Sequence, residues 1–368
     1  MKIPIAAVPA RMKKIFYNIW EIYNDPDRKS VLLICWEFIK CSISNKSVAY
    51  HYLSSFLYRR GVKNIYDYVS VKEEKEVQNK INDPRLSDII TNKLMFVEHF
   101  KRGGISVPNL IGYNILEKLY LRMPDKWEVV DLSCLSELIS ALQRAMQTWH
   151  LKSIFLKPIR GSQGLGVFKI DIDQLNFKDN IDRVQASLTQ SYYVIQEVVE
   201  QHPDLSSLNP TSLNTMRIDT FRAPREKAEI LSGFLRVGGK DSNVDNISAG
   251  GVLVGINLAD GVLREKAINK FHGNKKIGTF KLNPLTGIPF EGYKIPFFHE
   301  VKKIVIQAAE WIPSALVGWD VAVSCSGPVL IEANVLYYGM SSLDMVYGGY
   351  KNNPVYIKAR AFAYGNGK

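Results

Sequence analysis

Cysteine is scarce in this chain: four in 368 residues, at positions 35, 41, 134 and 325, with no pair at metal or redox spacing. That usage excludes a disulfide-built secreted scaffold and makes a reducing, cytoplasmic setting the expectation. Histidine is equally sparse, six in all, and none pairs at ligand spacing, which argues against a zinc centre. No apolar run reaches the roughly 20 residues that cross a bilayer. Ser30 to Ile39 comes closest, and Glu37 interrupts it. Ile3 to Ala10 is short and broken by Pro4 and Pro9, too weak for a signal peptide. Internal repeats and low-complexity tracts are absent. What remains, 46% hydrophobic and 23% charged, is an ordinary globular composition in a chain long enough for more than one core.

Charge is abundant but uneven. Residues 1–60 carry ten Lys or Arg against four acids, +6 of the formal +11. Such a region attracts phosphates or anionic lipid, or is simply a solvated basic face. Nucleic acid is not expected, because aromatic residues do not interleave with the basic ones as a stacking platform requires. Val31, Ile34, Cys35, Phe38 and Ile39 fall at helical spacing, and Tyr50, Leu53, Phe56 and Leu57 repeat the pattern up to Gly61, the expected stop. Residues 1–88 therefore read as a helical N-terminal region, whose apolar faces either pack on the body or meet a membrane surface. Asn82-Asp83-Pro84 closes a charged stretch as a turn and a candidate boundary.

The organising stretch is Ile154 to Ile172. Ile154 and Leu156 alternate with Phe155 and Lys157 up to Pro158, and Gly161, Gly164 and Gly166 follow with Ser162 and Gln163 between them. Val167, Lys169 and Asp171 then alternate with Phe168, Ile170 and Ile172. Strand, glycine-rich turn and strand make a hairpin with a lysine at its base and a tip of exposed backbone N–H groups, able to close over phosphates. A Walker A loop and a dinucleotide fingerprint are both excluded, since each opens a helix and the period here is two.

Around it, Asn92-Lys93 opens a helix with Leu94, Val97 and Phe100 on one face; Ile105 to Tyr113 reads as a strand, Ser136 to Met146 as a helix and Tyr192 to Val199 as a buried strand. From 210 strands dominate: Met216 to Phe221, Glu229 to Val237 and Gly251 to Leu258, with a polar loop from Gly238 to Gly250 between the last two. Val301 to Ile312 is a helix, and Gly318 to Ser324 with Pro328 to Ala333 form a closing hairpin. The pattern predicts an α+β architecture of more than one lobe. Glu332 and Asn334 stand two apart on one strand and so share a face, and Asp320 on the neighbouring strand can join them. Two carboxylates and an amide oxygen suit Mg²⁺, a hard ion that also takes phosphate oxygens.

The Lys157–glycine hairpin, the strand ending Gln196-Glu197-Val198-Val199, and Asp320 followed by Glu332-Ala-Asn334 together resemble the ATP-grasp superfamily, and within it the sugar-transfer-associated ATP-grasp proteins, related to α-L-glutamate ligases. The resemblance covers roughly residues 90–340. It implies two α+β lobes clamping ATP, divided as residues 89–200 and 201–368. It further implies Lys93 and Lys157 as nucleotide lysines, Ser162 and Gly164 in the phosphate-covering loop, Glu197 to Val199 as the adenine hinge, and Glu200 or Asp204 on the ribose. Arg217, Arg236 and Asn246, with Gly250-Gly251, correspond to the elements beside the transferred phosphate, and Asp320, Glu332 and Asn334 to the Mg²⁺ ligands. The implied activity is ATP-dependent carboxylate–amine ligation, with a uronic acid of a surface polysaccharide joined to an amino acid or amine. A sugar kinase, or a membrane-recruited nucleotide-binding subunit without turnover, are the other classes left open. Two departures stand out: Gly318-Trp319 where related ligases place an arginine, and Leu336-Tyr337-Tyr338-Gly339 in place of Pro-Gly.

Overall fold

The computed structural model describes residues 19–62, 64–161, 165–172, 181–239, 250–269, 278–336 and 338–365. Two antiparallel sheets with helices against them bear out the α+β reading. The first sheet holds β1 (Leu110–Ile115), β2 (Lys118–Arg122), β3 (Trp127–Asp131), β4 (Ser153–Pro158), β5 (Phe168–Asp171) and β6 (Tyr193–Glu197), in the order β3-β2-β1-β6-β4-β5. Apolar side chains of one face, such as Leu119, Leu121, Ile154 and Ile195, pack on Leu138, Leu142 and Met146 of the helix Leu135–Thr148 and on Val184 and Leu188 of Ile181–Gln190. The glycine-rich hairpin is β4 with β5, registered Ile154 to Ile170 and Leu156 to Phe168. Its tip, including Ser162 and Gly164, lies outside the described residues.

The second sheet holds β7 (Met216–Phe221), β8 (Glu229–Val237), β9 (Val252–Ile256), β10 (Leu263–Ile268), β11 (Thr279–Phe280), β12 (Leu316–Ser324) and β13 (Gly327–Asn334), in the order β11-β10-β9-β8-β7-β12-β13. Strand alternation sorts its two faces. Met216, Ile218, Leu235, Val254 and Trp319 point to one core, closed by Val301, Val305 and Ala308 of the helix Phe298–Trp311 and by Phe96 and Phe100 of Lys93–Arg102. Phe221, Phe234, Leu253 and Leu316 point to the other, shared with Tyr52, Leu57, Tyr68 and Val77 from the N-terminal region and Tyr350 and Tyr356 near the C-terminus. One side of the N-terminal region thus packs on the body.

Two expected elements differ in extent. The second N-terminal helix covers only Tyr50–Ser54, because Phe56 takes a left-handed φ of 60°. Leu57 and Tyr58 are then fully buried in irregular backbone. The expected strand Ile105–Tyr113 begins only at Leu110. Pro108 has no N–H to offer a ladder, and the preceding residues instead tie the sheets together. The Ser106 carbonyl accepts from Leu330 N of β13 at 2.8 Å, and the Asn109 carbonyl from Glu197 N of β6 at 3.1 Å.

The turn at Asn82 is a second tie. Its amide accepts from Ala315 N and Leu316 N at 2.9 and 3.0 Å, and donates to the carbonyls of Leu316 and Val335 at 2.6 and 2.5 Å. It fastens the end of the helix Val71–Ile81 to the beginning of β12 and the exit of β13.

Candidate active site

The candidate metal residues meet by strand register. Asp320 on β12 lies directly opposite Glu332 on β13, and Gly318 opposite Asn334. On the other side of β12, Asp320 faces Arg217 of β7 and Gly318 faces Asp219. Period-two alternation then puts Arg217, Asp219, Asp320, Glu332 and Asn334 on one face.

Both arginines converge on Asp320. Arg217 Nε donates to Oδ1 at 2.5 Å; Arg236, from the next strand, donates from Nη1 to Oδ2 at 3.0 Å and from Nη2 to Oδ1 at 2.7 Å. Burial alone pushes the Asp320 carboxyl up, but the two guanidiniums outweigh it and hold it below the usual carboxylate range. The resemblance implied that these arginines meet phosphate; the described contacts place them on the aspartate. Glu332 behaves oppositely. Burial, and then the neighbouring Asp320 charge, push it up to about 7.

Lys93 and Lys157 complete the cluster from the first sheet's side. Lys93 opens its helix behind the Asn92 cap, which accepts from Leu94 N and Met95 N at 3.1 Å each. Its Nζ donates to the Gly161 carbonyl at the root of the glycine turn, at 2.9 Å. Lys157 sits near the end of β4, and burial pushes its amine down to about 8, partly offset by Glu332. Burial lowers Lys93 as well, again against the Glu332 charge. A lysine at a helix start, a lysine of the first sheet and a glutamate of the second therefore share one electrostatic neighbourhood.

Other expected residues stand apart from this cluster. Glu197 spends its carboxylate on Asn109, accepting from the backbone N and from Nδ2 at 2.9 Å each, so its side chain holds the connector between the sheets. Val199 is half-buried beyond β6; Glu200 and Asp204 are exposed on the following segment, with Asp204 3.6 Å from the His202 ring. Asn246 lies outside the described residues, and Gly250, with φ of 89°, leads into Gly251 and β9.

The structure adds two residues to those found by motif. Asp219 is 1% exposed; its Oδ2 accepts from Ser232 at 2.8 Å and its Oδ1 has no partner among the described residues. Burial raises its carboxyl to about 6, against the pull of Arg217. Tyr338 lays its ring 5.6 Å from the Arg217 guanidinium, its hydroxyl buried without a partner among the described residues, as is the Asn334 amide nitrogen. Gly318 is required by this packing: a Cβ there would stand 2.8 Å from Asp219 Oδ1 and 3.0 Å from the Tyr338 ring. The two-residue step from Arg217 to Asp219 was a readable signal for the aspartate; Tyr338 stood out only as part of the departure from Pro-Gly.

The donor set fits a hard divalent ion. No cluster of three or more His, Cys, Asp or Glu side chains capable of holding a metal occurs among the described residues. Asp320, buried, and Glu332, half-buried, are nevertheless two carboxylates set opposite each other, whose repulsion a divalent cation relieves, and the Asn334 amide is an oxygen donor on the same face.

Several solved structures are similar in part. D-alanyl-alanine synthetase A from Vibrio cholerae is 13% identical, with a TM-score of 0.46, over 77% of this chain and 68% of that one. N5-carboxyaminoimidazole synthase from Aspergillus clavatus, solved with ADP and 5-aminoimidazole ribonucleotide, is 8% identical with a TM-score of 0.41, over 75% of this chain and 55% of that one. The ATP-grasp ligase PsnB, complexed with a minimal precursor, is 12% identical with a TM-score of 0.40, over 77% and 63%. This chain thus spans less than two thirds of the length of the second and third. No protein of curated function matches the sequence. The family profile described as sugar-transfer associated ATP-grasp matches residues 72–352, well over half of the sequence and all of the cluster built above, and the chain belongs to that family.

Proposed function

We propose that the chain is an ATP-dependent, ADP-forming carboxylate–amine ligase acting through an acyl phosphate. The observation that carries this reading is an Asp320 held by two arginines and registered against Glu332, with Lys93 donating to the Gly161 carbonyl at the root of the glycine turn. Such a site takes a polyphosphate on its lysine side and keeps a fixed, charged surface where the phosphoryl group is transferred. Mg²⁺ held by Asp320, Glu332 and Asn334 would neutralise phosphate oxygens. Lys93 and Lys157, with the Ser162–Gly164 loop, would bind the triphosphate; Glu197 to Val199 would meet adenine through backbone groups, and Glu200 or Asp204 the ribose. Arg217 and Arg236 keep Asp320 ionised and bring positive charge beside the reacting oxygens, where Asn246 would assist.

In the first step a carboxylate oxygen of the substrate bonds to the γ-phosphorus as the bond to ADP breaks. In the second an amine attacks the acyl carbon, inorganic phosphate leaves with that oxygen, and the amine loses a proton. Excluding water between the two steps is the enzyme's main task, since water competes with the amine. The substrate we infer is a uronic acid of a surface polysaccharide or its precursor, joined to an amino acid or amine in the cytoplasm. The family description and the unpartnered Asp219, Asn334 and Tyr338 groups beside the triad support a hydroxyl-rich acceptor.

The test is isotopic. With a uronic-acid glycan labelled with ¹⁸O in its carboxyl group, plus ATP and an amine, label should appear in released phosphate, and hydroxylamine should trap a hydroxamate. A stable phosphorylated sugar with no label in free phosphate would show a kinase instead.

A further inference from the structure

The helix Val31–Ser44 is apolar on both sides. Its inner side, Ile34, Phe38 and Cys41, packs into the core shared with Tyr52 and Leu57. Its outer side sets Leu32, Trp36, Ile39 and Ile43 in one stripe at three- and four-residue steps, exposed by 84, 53, 57 and 73%. Val48 and Tyr50, just past its end, are exposed by 55 and 64%. Scattered exposed apolar residues are normal, but a continuous apolar stripe on a helix that is apolar all round calls for a covering partner.

Exposed charge around the helix is mostly basic, Asp27 being the exposed acid among the described residues 19–62. Asp25 is buried against Arg59 and the Tyr58 hydroxyl, and Glu37 is taken by Lys29 at 2.7 Å and by the Tyr52 hydroxyl at 2.6 Å. Glu21 is buried as well. Lys40, Lys46 and Arg60 are exposed. Lys40 holds its ammonium 3.6 Å from the centroid of the Trp36 ring, at the rim of the stripe. An indole at the edge of an apolar face with a lysine reaching past it suits the headgroup level of a bilayer. A second copy of the chain fits less well, because a two-fold contact would set these bases against their own like. No helix among the described residues is long and apolar enough to cross a membrane, and 14 residues suit a helix lying in the plane. The stripe also precedes residues 72–352, the part shared with the family.

We infer that the outer side of the Val31–Ser44 helix docks the protein on an anionic lipid surface, with Leu32, Trp36, Ile39 and Ile43 entering the acyl–headgroup boundary and Lys40, Lys46 and Arg60 meeting lipid phosphates. This is independent of the chemistry proposed for the active site.

The full chain should co-sediment with vesicles of phosphatidylcholine mixed with phosphatidylglycerol, far less with phosphatidylcholine alone, and less as salt rises. Brominated lipid should quench part of its tryptophan fluorescence. Leu32→Glu with Ile43→Glu, both at strongly exposed positions, should lower the partition coefficient roughly tenfold or more. Lys40→Ser with Lys46→Ser should remove much of the preference for anionic vesicles. The melting shift with MgATP should survive in every variant, which certifies the fold and separates failure here from failure of the ligase reading. Equal partition of wild type and Leu32→Glu/Ile43→Glu, or no partition at low salt, overturns the inference. So does a dimer in solution that this double variant dissolves, which would assign the stripe to a second copy.

Discussion

Asn82→Ala should cost this protein a large share of its stability although it lies in a polar turn. The Asn82 side chain is 3% exposed and makes four hydrogen bonds to backbone groups of Ala315, Leu316 and Val335. At about 1 kcal/mol for each bond, and more wherever a buried N–H or carbonyl is left bare, the loss is roughly 4 kcal/mol. Domains are stable by only about 5–15 kcal/mol, so this is a large fraction. Urea denaturation followed by tryptophan fluorescence should show the midpoint falling by more than about 1 M at an unchanged slope near 3 kcal/mol/M. Arg85→Ala is the control: its guanidinium is solvent-exposed, pairs with Asp83 at the surface, and its loss should leave the midpoint where it was. A fall of less than about 1 kcal/mol in the Asn82 variant would refute the reasoning, because it would mean that the N-terminal region does not brace the strands carrying Asp320 and Asn334.

Two further predictions concern the site. Burial holds the Lys157 amine at about 8, below its ordinary value, so its charge is lost as pH rises through that point; MgATP affinity measured by calorimetry should fall by about two- to tenfold between pH 7.5 and 9, and Lys157→Arg should remove the dependence because a guanidinium stays charged. Glu332 sits at about 7, above its ordinary 4.5, so the folded state grips this proton and the group's contribution to stability declines as pH rises from about 4.5 through 7. Without metal, Glu332→Gln should therefore flatten the melting temperature between pH 5 and 8 by calorimetry, while abolishing product formation at saturating MgATP.

How much of this was legible in the sequence depends on the range over which each signal acts. The glycine hairpin, the Asn92 cap and the strand carrying Glu332 and Asn334 were readable, because periodicity and capping are decided within a few residues. The family motifs then assembled the distant members of the cluster, Lys93, Lys157, Arg217, Arg236 and Asp320. Neither source could reveal that Arg236 spends both terminal nitrogens on Asp320, or that Glu197 is engaged by Asn109, since these partners are separated by 84 and 88 residues. The extent of the Tyr50 helix failed for a different reason: Phe56 continues the apolar spacing yet adopts a left-handed φ that large side chains rarely take, and tertiary packing of Leu57 and Tyr58 wins over local pattern. Gly318 shows the same limit at the site itself. By sequence it is only a place where related ligases carry arginine. In the fold, its missing side chain leaves room for Asp219 Oδ1 and the Tyr338 ring, two groups brought in by separate segments. An arginine there could not coexist with them. Positive charge beside Asp320 comes from Arg217 on the adjacent strand and Arg236 on the strand beyond it, and Asp219 Oδ1 and the Tyr338 ring stand where a side chain at Gly318 would begin.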